Sequence, residues 1–289
     1  MRPNGLISLR LEEITSLMKQ LKKGDFFGSH YQKNSFGGVI VTDTEYTHRK
    51  VDWHYHENPY FTYLLQGKLL EGSRKETNYL KPSSLLFHNW QEKHYNLKPD
   101  EFTRGFHLEL DDRWLKKHEL STDYLEGSFN ITNPKIKALV NSIFAESKVN
   151  DDKSDLSIES SMLSIFSQLS SSHQQSNRYL PSWFKKLEEY IMDGDLNINL
   201  SKLSDLLGIH PVHLSREFHK YFKITLGQYI RYLRVNKAFT LLRMKKSSMT
   251  EICLTCGFYD QSHFIRDFKR IYKVTPRKFQ VNLSENPAS

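Results

Sequence analysis

Between Ile198 and Pro276 the chain states one pattern twice, about 50 residues apart. The first copy runs LSKLSDLLGIHPVHLSREFHKYFKITLGQYI from Leu200, and the second runs MTEICLTCGFYDQSHFIRDFKRIYKVTPRKF from Met249. Leu203, Gly208, Leu214, Arg216, Phe218, Phe222 and Thr225 recur as Ile252, Gly257, Phe264, Arg266, Phe268, Tyr272 and Thr275. The offset is 49 up to the glycine and 50 from the next aromatic on, so the second turn holds one extra residue. Each copy reads as a short helix, a glycine turn and a second amphipathic helix, the order of a helix-turn-helix.

Local signals place the remaining helices of this half. Pro181 opens one that runs through Ile191. Thr225-x-x-Gln228 is a capping box that starts a long helix to about Arg243, and Ser248-x-x-Glu251 is a second one. Asp260 is placed as an N-cap, and Thr275-Pro276 begins a last helix with proline at its first position. About seven helices are expected. In the second helix of each copy, Leu214, Phe218, Tyr221 and Phe222, then Phe264, Phe268, Ile271 and Tyr272, follow i, i+4, i+7, i+8, a core-facing stripe. Ser215, Arg216, His219 and Lys220, and Ser262, Arg266, Lys269 and Arg270, fall on the opposite faces. These side-chain types suit base edges and phosphates. The connecting helix spans roughly 27 Å at 1.5 Å per residue, against about 34 Å for one turn of DNA.

The charge supports a polyanion partner. Residues 178–289 hold 19 Lys/Arg against 10 Asp/Glu, whereas residues 1–177 hold 22 against 23. All of the net charge of +8 therefore resides in the half with the repeat. A fragment from about Arg178 to Ser289 is accordingly expected to bind DNA alone. No stretch approaches the roughly 18 apolar residues of a membrane span. Residues 1–24 read as a charged amphipathic helix without the apolar core of a signal peptide, so the expected compartment is the cytoplasm. The only cysteines, Cys253 and Cys256, fall in the first helix of the second copy, where small packing residues are expected rather than a redox or zinc pair.

The front half reads differently. GGVIVTDTEYTH, YFTYLLQGKLLEG, SSLLFHN and FTRGFHLEL are short β-rich runs within residues 36–110, which suggests a small barrel or sandwich. From Asn133 the period becomes helical, in PKIKALVNSIFAES and LSIESSMLSIFSQLS. The polar stretch at 170–178, SSSHQQSNR, reads as an interdomain linker.

Residues 181–283, with RVNKAFTLL in the connecting helix and CGFYDQSHFIRDFKRIYKVTPRKF after it, resemble the DNA-binding domain of AraC/XylS-type transcription regulators. The resemblance implies base-facing positions at Val212, Ser215 and Arg216 in the first recognition helix, and at Gln261, Ser262, Ile265 and Arg266 in the second. Lys220 and Lys269 join them as DNA-binding residues. Val212 and Ile265 are apolar where polar readers are common. WHYHENPYFTYLLQGKLLEG and KPSSLLFHNWQEKHYNL are similar to the two cupin motifs found in the sensor barrels of many such regulators. That similarity puts His54, His56 and His94 where metal cupins hold an ion. The slot for the usual glutamate falls at Tyr60.

The expectation is an α+β multidomain chain with three parts. A cupin-like sensor barrel with an N-terminal helix covers 1–130, dimerisation helices and a linker cover 131–180, and a double helix-turn-helix covers 181–289. The function expected is sequence-specific regulation of transcription, with promoter DNA, RNA polymerase and a small-molecule effector as partners. No membrane contact, cofactor or enzymatic activity is expected. The effector pocket is assigned to His54, His56, Tyr63, Trp90 and His94, without metal; His54, His56 and His94 are the ligands if one binds. Trp53, Phe87 and Phe106 are further wall or core candidates. Leu163, Phe166 and Leu169 are the expected contacts of a homodimer, or else pack within their own chain. Rival readings are a metal-dependent cupin enzyme fused to a DNA-binding domain, and a DNA-binding adaptor whose barrel contacts other proteins.

Overall fold

The computed structural model describes residues 19–99, 101–123, 125, 127–176, 182–192, 196, 198–222, 224–244 and 247–285. The chain divides into two compact units, Met1–Ile131 and Thr132–Ser289. No helix among the described residues is long and apolar enough to cross a membrane.

The first unit is rich in sheet. Its strands are β1 (Lys19–Leu21), β2 (Ser29–Phe36), β3 (Val39–Glu45), β4 (Lys50–His56), β5 (Tyr60–Gln66), β6 (Leu69–Ser73), β7 (Thr77–Leu80), β8 (Leu85–His88), β9 (His94–Leu97), β10 (Arg104–Leu110) and β11 (Ser128–Asn130). A short helix, α1 (Asp112–Lys117), follows β10 and is N-capped by the Asp111 side chain. One sheet has the order β1-β4-β9-β6-β7, the other β11-β8-β5-β10-β3-β2. Both are open, so the arrangement is two facing sheets rather than a closed barrel. Val39–Val41, Phe61, Leu64 and Leu108 are buried, as expected of apolar runs covered on both faces. β2 carries a mostly polar sequence because it is the sheet edge beyond β3, where side chains meet water.

Most of the expected N-terminal helix lies outside the described residues. Its end, Lys19–Leu21, is a strand, because the edge of β4 offers it parallel backbone partners from His54 to His56.

The second unit is helical: α2 (Pro134–Val149), α3 (Ser154–Ser176), α4 (Ser182–Met192), α5 (Leu200–Leu207), α6 (Pro211–Phe222), α7 (Leu226–Met244), α8 (Met249–Thr255), α9 (Gln261–Tyr272) and α10 (Pro276–Glu285). The linker expected at 170–178 is corrected as far as Ser176, which α3 reaches. Ile158, Met162, Ile165, Phe166 and Leu169 keep a helical period on its buried side. On the exposed side serines bond backwards, Ser161 Oγ to the Ser157 carbonyl and Ser164 Oγ to that of Ser160, both at 2.9 Å. The helix runs on through the serine-rich stretch to Ser176.

The capping signals hold. Thr225 Oγ1 accepts from Gln228 N at 3.2 Å and Gln228 Oε1 accepts from Thr225 N at 2.8 Å. Ser248 and Glu251 make the same reciprocal pair, and Asp260 caps α9. α7 is buried around most of its girth because it serves two cores. Leu226, Tyr229 and Ile230 join Leu203, Leu207, Leu214 and Phe218 in one core. Phe239 meets Phe268, Tyr272 and Phe279 in the other, with ring centroids 4.5–6.4 Å apart. Each helix-turn-helix thus hangs on one end of a shared rod.

Candidate nucleic-acid interface and a histidine-lined cavity

The repeat sets both recognition helices the same way. Leu214 and Phe218 in α6, and Phe264, Phe268 and Tyr272 in α9, are buried. Val212, Ser215, Arg216, His219 and Lys220 are exposed on α6, and Gln261, Ser262, Ile265, Arg266, Lys269 and Arg270 on α9. The expected DNA-binding positions therefore share one exposed face per helix, with 212, 216 and 220, and 261, 265 and 269, in rows four apart. Gln261 is oriented by its Nε2, which donates to Thr250 Oγ1 at 2.7 Å. Lys220 lies 3.6 Å from Glu217.

The turns differ as the offset implied: three residues after Gly208 comes Pro211, the first of α6, and four after Gly257 comes Gln261, the first of α9. Both glycines are left-handed, at φ +65° and +74°. Around Gly208 the space is open, but a Cβ on Gly257 would fall 2.7 Å from the Leu196 carbonyl oxygen. That carbonyl accepts from Arg234 Nε at 3.0 Å, so the second turn is held against the rod by close backbone approach.

Asp267 was missed by the sequence reading. Its side chain is buried in α9 and is met by three side chains: Arg270 at 2.5 Å, His263 Nε2 at 2.9 Å and Arg231 of α7 at 3.3 Å. It fixes the rotation of α9 against the rod, and with it the aim of Arg266. The signal was an acidic residue on the apolar stripe, between Phe264 and Phe268. Cys253 and Cys256 are buried free thiols, and burial pushes Cys256 up to about 12, which makes it unreactive.

In the first unit a cavity of about 10 Å³ lies between the sheets, lined in part by His54, His56, Tyr60, Glu71, His94 and His107. His54 and His94 are register partners on β4 and β9, and His56, two residues on from His54, shares its inward face. The three offer ligand atoms within 4.8 Å of one another. His54 Nδ1 bonds the Asp52 carbonyl at 2.8 Å, and His94 Nδ1 bonds that of Glu92 at 3.0 Å. Tyr60, at the glutamate slot, bonds His94 Nε2 through its hydroxyl at 3.1 Å.

Two of the expected pocket residues do not join. Tyr63 is buried on the opposite face of β5 from Tyr60 and Thr62, an odd against an even position. Trp90 is 49% exposed and Trp53 37%. Phe87 and Phe106 are core. The structure adds Glu71 and His107 to the lining, with His88 beside Glu71. Strand alternation was the available signal for His107, which shares a face with Gly105 and Glu109.

His107 bonds Thr42 Oγ1 at 2.9 Å and Tyr46 OH at 2.8 Å, and stacks on Phe26 at 3.8 Å. Burial lowers it to about 3, with His30 adding to the fall and Asp43 opposing it. The unfolded chain takes up a proton at this position below about pH 6.5, and the folded chain only near pH 3. Stability is thus expected to fall with pH across that window, by about 1.4 kcal/mol per unit for this group. His107→Gln should flatten the pH dependence of chemical unfolding between pH 6.5 and 4; an unchanged slope would refute this role.

A family model described as "Helix-turn-helix domain" matches residues 203–282. The chain is 35% identical over 85 residues to "Probable transcription factor PqrA" of Proteus vulgaris, covering 29% of this chain and 70% of that one. It is 28% identical over 152 residues to "HTH-type transcriptional activator RhaR" of Mannheimia succiniciproducens, covering 50% of this chain and 54% of that one. The match thus spans about half the length of RhaR. A solved structure of ToxT from Vibrio cholerae aligns over 85% of this chain and 98% of its own, at 14% identity and a TM-score of 0.35.

Proposed function

Because the chain belongs to the AraC-type family of helix-turn-helix transcription regulators, we propose that it enters two major-groove segments of promoter DNA with α6 and α9. The observation that carries this is the pair of exposed basic faces, in register with the repeat, at the two ends of one helix. Arg216 and Arg266 read guanine, the commonest specific contact of arginine. Ser215, Gln261 and Ser262 contact base edges, and Val212 and Ile265 are apolar surfaces for thymine methyls. Lys220 and Lys269 hold phosphates. The chain acts in the cytoplasm with the DNA, as an activator that engages RNA polymerase, and not as an enzyme.

The first unit serves as a cupin-like sensor. What supports this is the His54-x-His56 strand facing His94, with the cavity they line. That cavity accommodates one water-sized species, which favours a very small effector. The face of α2 and α3 pairs two copies. Leu139, Leu156 and Leu163 line a surface groove there, whereas Phe166 and Leu169 are buried within the chain.

The test separates base reading from anchoring. Arg266→Ala is expected to cost about 1–3 kcal/mol on the operator and to relax preference at one position. Arg216→Ala should do the same about one helical turn away. Lys273→Ala, at the left-handed cap of α9, should weaken operator and random DNA alike. Footprinting with shuffled competitor decides it: equal losses on both DNAs for both arginines would remove the base-reading role.

A further inference from the structure

We propose that the first unit binds one divalent transition-metal ion through Glu71, His88 and His94. Only His94 belongs to the histidine set that the cupin-like motifs supply. Glu71 comes from β6 and His88 from the end of β8.

Geometry is the first argument. The three residues offer ligand atoms within 4.8 Å of one another. Glu71 Oε1 and His88 Nδ1 are already 3.4 Å apart. Around a tetrahedral ion with bonds of about 2.0–2.1 Å, ligand atoms stand about 3.3–3.4 Å apart. A carboxylate with two imidazoles is a ligand set used for zinc and iron.

The second argument is what these groups lack. Glu71 is 3% exposed, and among the described residues its one ion-pair partner is His88. A carboxylate placed there needs a cation, and no lysine or arginine supplies it among the described ion pairs. His88 is fully buried; the nitrogen that faces Glu71 is Nδ1, which also lies 3.0 Å from Ser128 Oγ, and Nε2 has no partner. His94 has its Nδ1 on the Glu92 carbonyl, so Nε2 carries the lone pair, which accepts from the Tyr60 hydroxyl at 3.1 Å and would pass to the ion. Backbone anchoring of the far nitrogen is the usual setting of a ligating histidine.

Charge chooses between the two sets. His54, His56 and His94 leave a dication uncompensated in a dry interior, whereas Glu71 cancels one of its charges. His94 is common to both, and its Nε2 has one lone pair, so the sets compete for a single ion. The cavity of about 10 Å³, which Glu71 and His94 help to line, has room for an ion.

Binding stands on this geometry alone; only its regulatory consequence rests on the sensing reading. The full chain, stripped by chelator, would be titrated with zinc(II) by calorimetry, in parallel with operator retardation. One equivalent is expected. Glu71→Gln and His88→Ala should each weaken zinc by more than about 100-fold, beyond what loss of an outer partner costs. His56→Ala should stay within about threefold of the unaltered chain. Each variant is first matched to that chain by its melting curve, with His88→Gln replacing His88→Ala if the latter melts without cooperativity. Absence of stoichiometric zinc, or loss on His56→Ala with retention on Glu71→Gln, overturns the proposal. Zinc that binds through Glu71 yet leaves operator affinity unchanged supports the site and overturns the sensing reading.

Discussion

Raising monovalent salt from about 50 to about 200 mM is expected to weaken operator binding by about a thousandfold. Each phosphate neutralised releases counterions from the duplex, and the logarithm of affinity falls by about 0.9 per contact for each decade of salt. Lys220, Arg266, Lys269, Lys273, Arg277 and Lys278 are exposed on or beside the recognition helices. About six contacts give a slope near −5, hence the thousandfold loss over a fourfold rise in salt. The charge asymmetry makes the expectation specific: residues 178–289 carry 19 Lys/Arg against 10 Asp/Glu, and the rest of the chain is nearly balanced. Fluorescence anisotropy across a salt series measures the slope. A value shallower than about −2 would mean that the basic faces do not lie along phosphates, and the two-groove arrangement would fall with it.

What could be read in the sequence was local. A helix announces itself within one turn by its cap and within three turns by its apolar period. Thr225 with Gln228, Ser248 with Glu251, and Asp260 were therefore legible without any tertiary information. The extra residue in the second turn was legible because glycine marks a left-handed cap. Asp267 was legible only as an acidic residue out of place on the apolar stripe; its role needs Arg231, 36 residues earlier, to be seen beside it. Glu71 was hidden for the same reason: it becomes informative only when His88 and His94 arrive from other strands. Tyr63 was misassigned because residue type was weighed and strand parity was not, although Tyr60 and Thr62 carry the inward face of β5. Trp90 failed because an aromatic in a turn has no period to say which way it points.

The same distinction moves the boundary of the DNA-binding fragment. A fragment of residues 132–289 is expected to bind operator like the full chain, whereas residues 178–289 should lose at least about 3 kcal/mol of stability. The shorter one cuts away α2, whose Ile136, Val140, Ile143 and Phe144 are buried. Phe144 stands 6.1 Å from Phe239 of α7, the ring on which the second helix-turn-helix packs. Uncovering apolar side chains of this size costs about 1.5–3 kcal/mol each. Polar groups are lost with them. Asn141 Nδ2 donates to Tyr272 OH at 2.9 Å and to Asn236 Oδ1 at 3.3 Å, and Asn236 Nδ2 donates to the Pro134 carbonyl at 2.9 Å. Tyr272 OH donates in turn to Asn236 Oδ1 at 2.7 Å, so one buried network joins α2, α7 and α9. Removing α2 opens that network beside the recognition helix that carries Arg266. Urea unfolding of the two fragments, with anisotropy on the operator, tests the boundary. Equal midpoints and equal affinities would show that α2 is an appendage, and that the core under α9 closes without it.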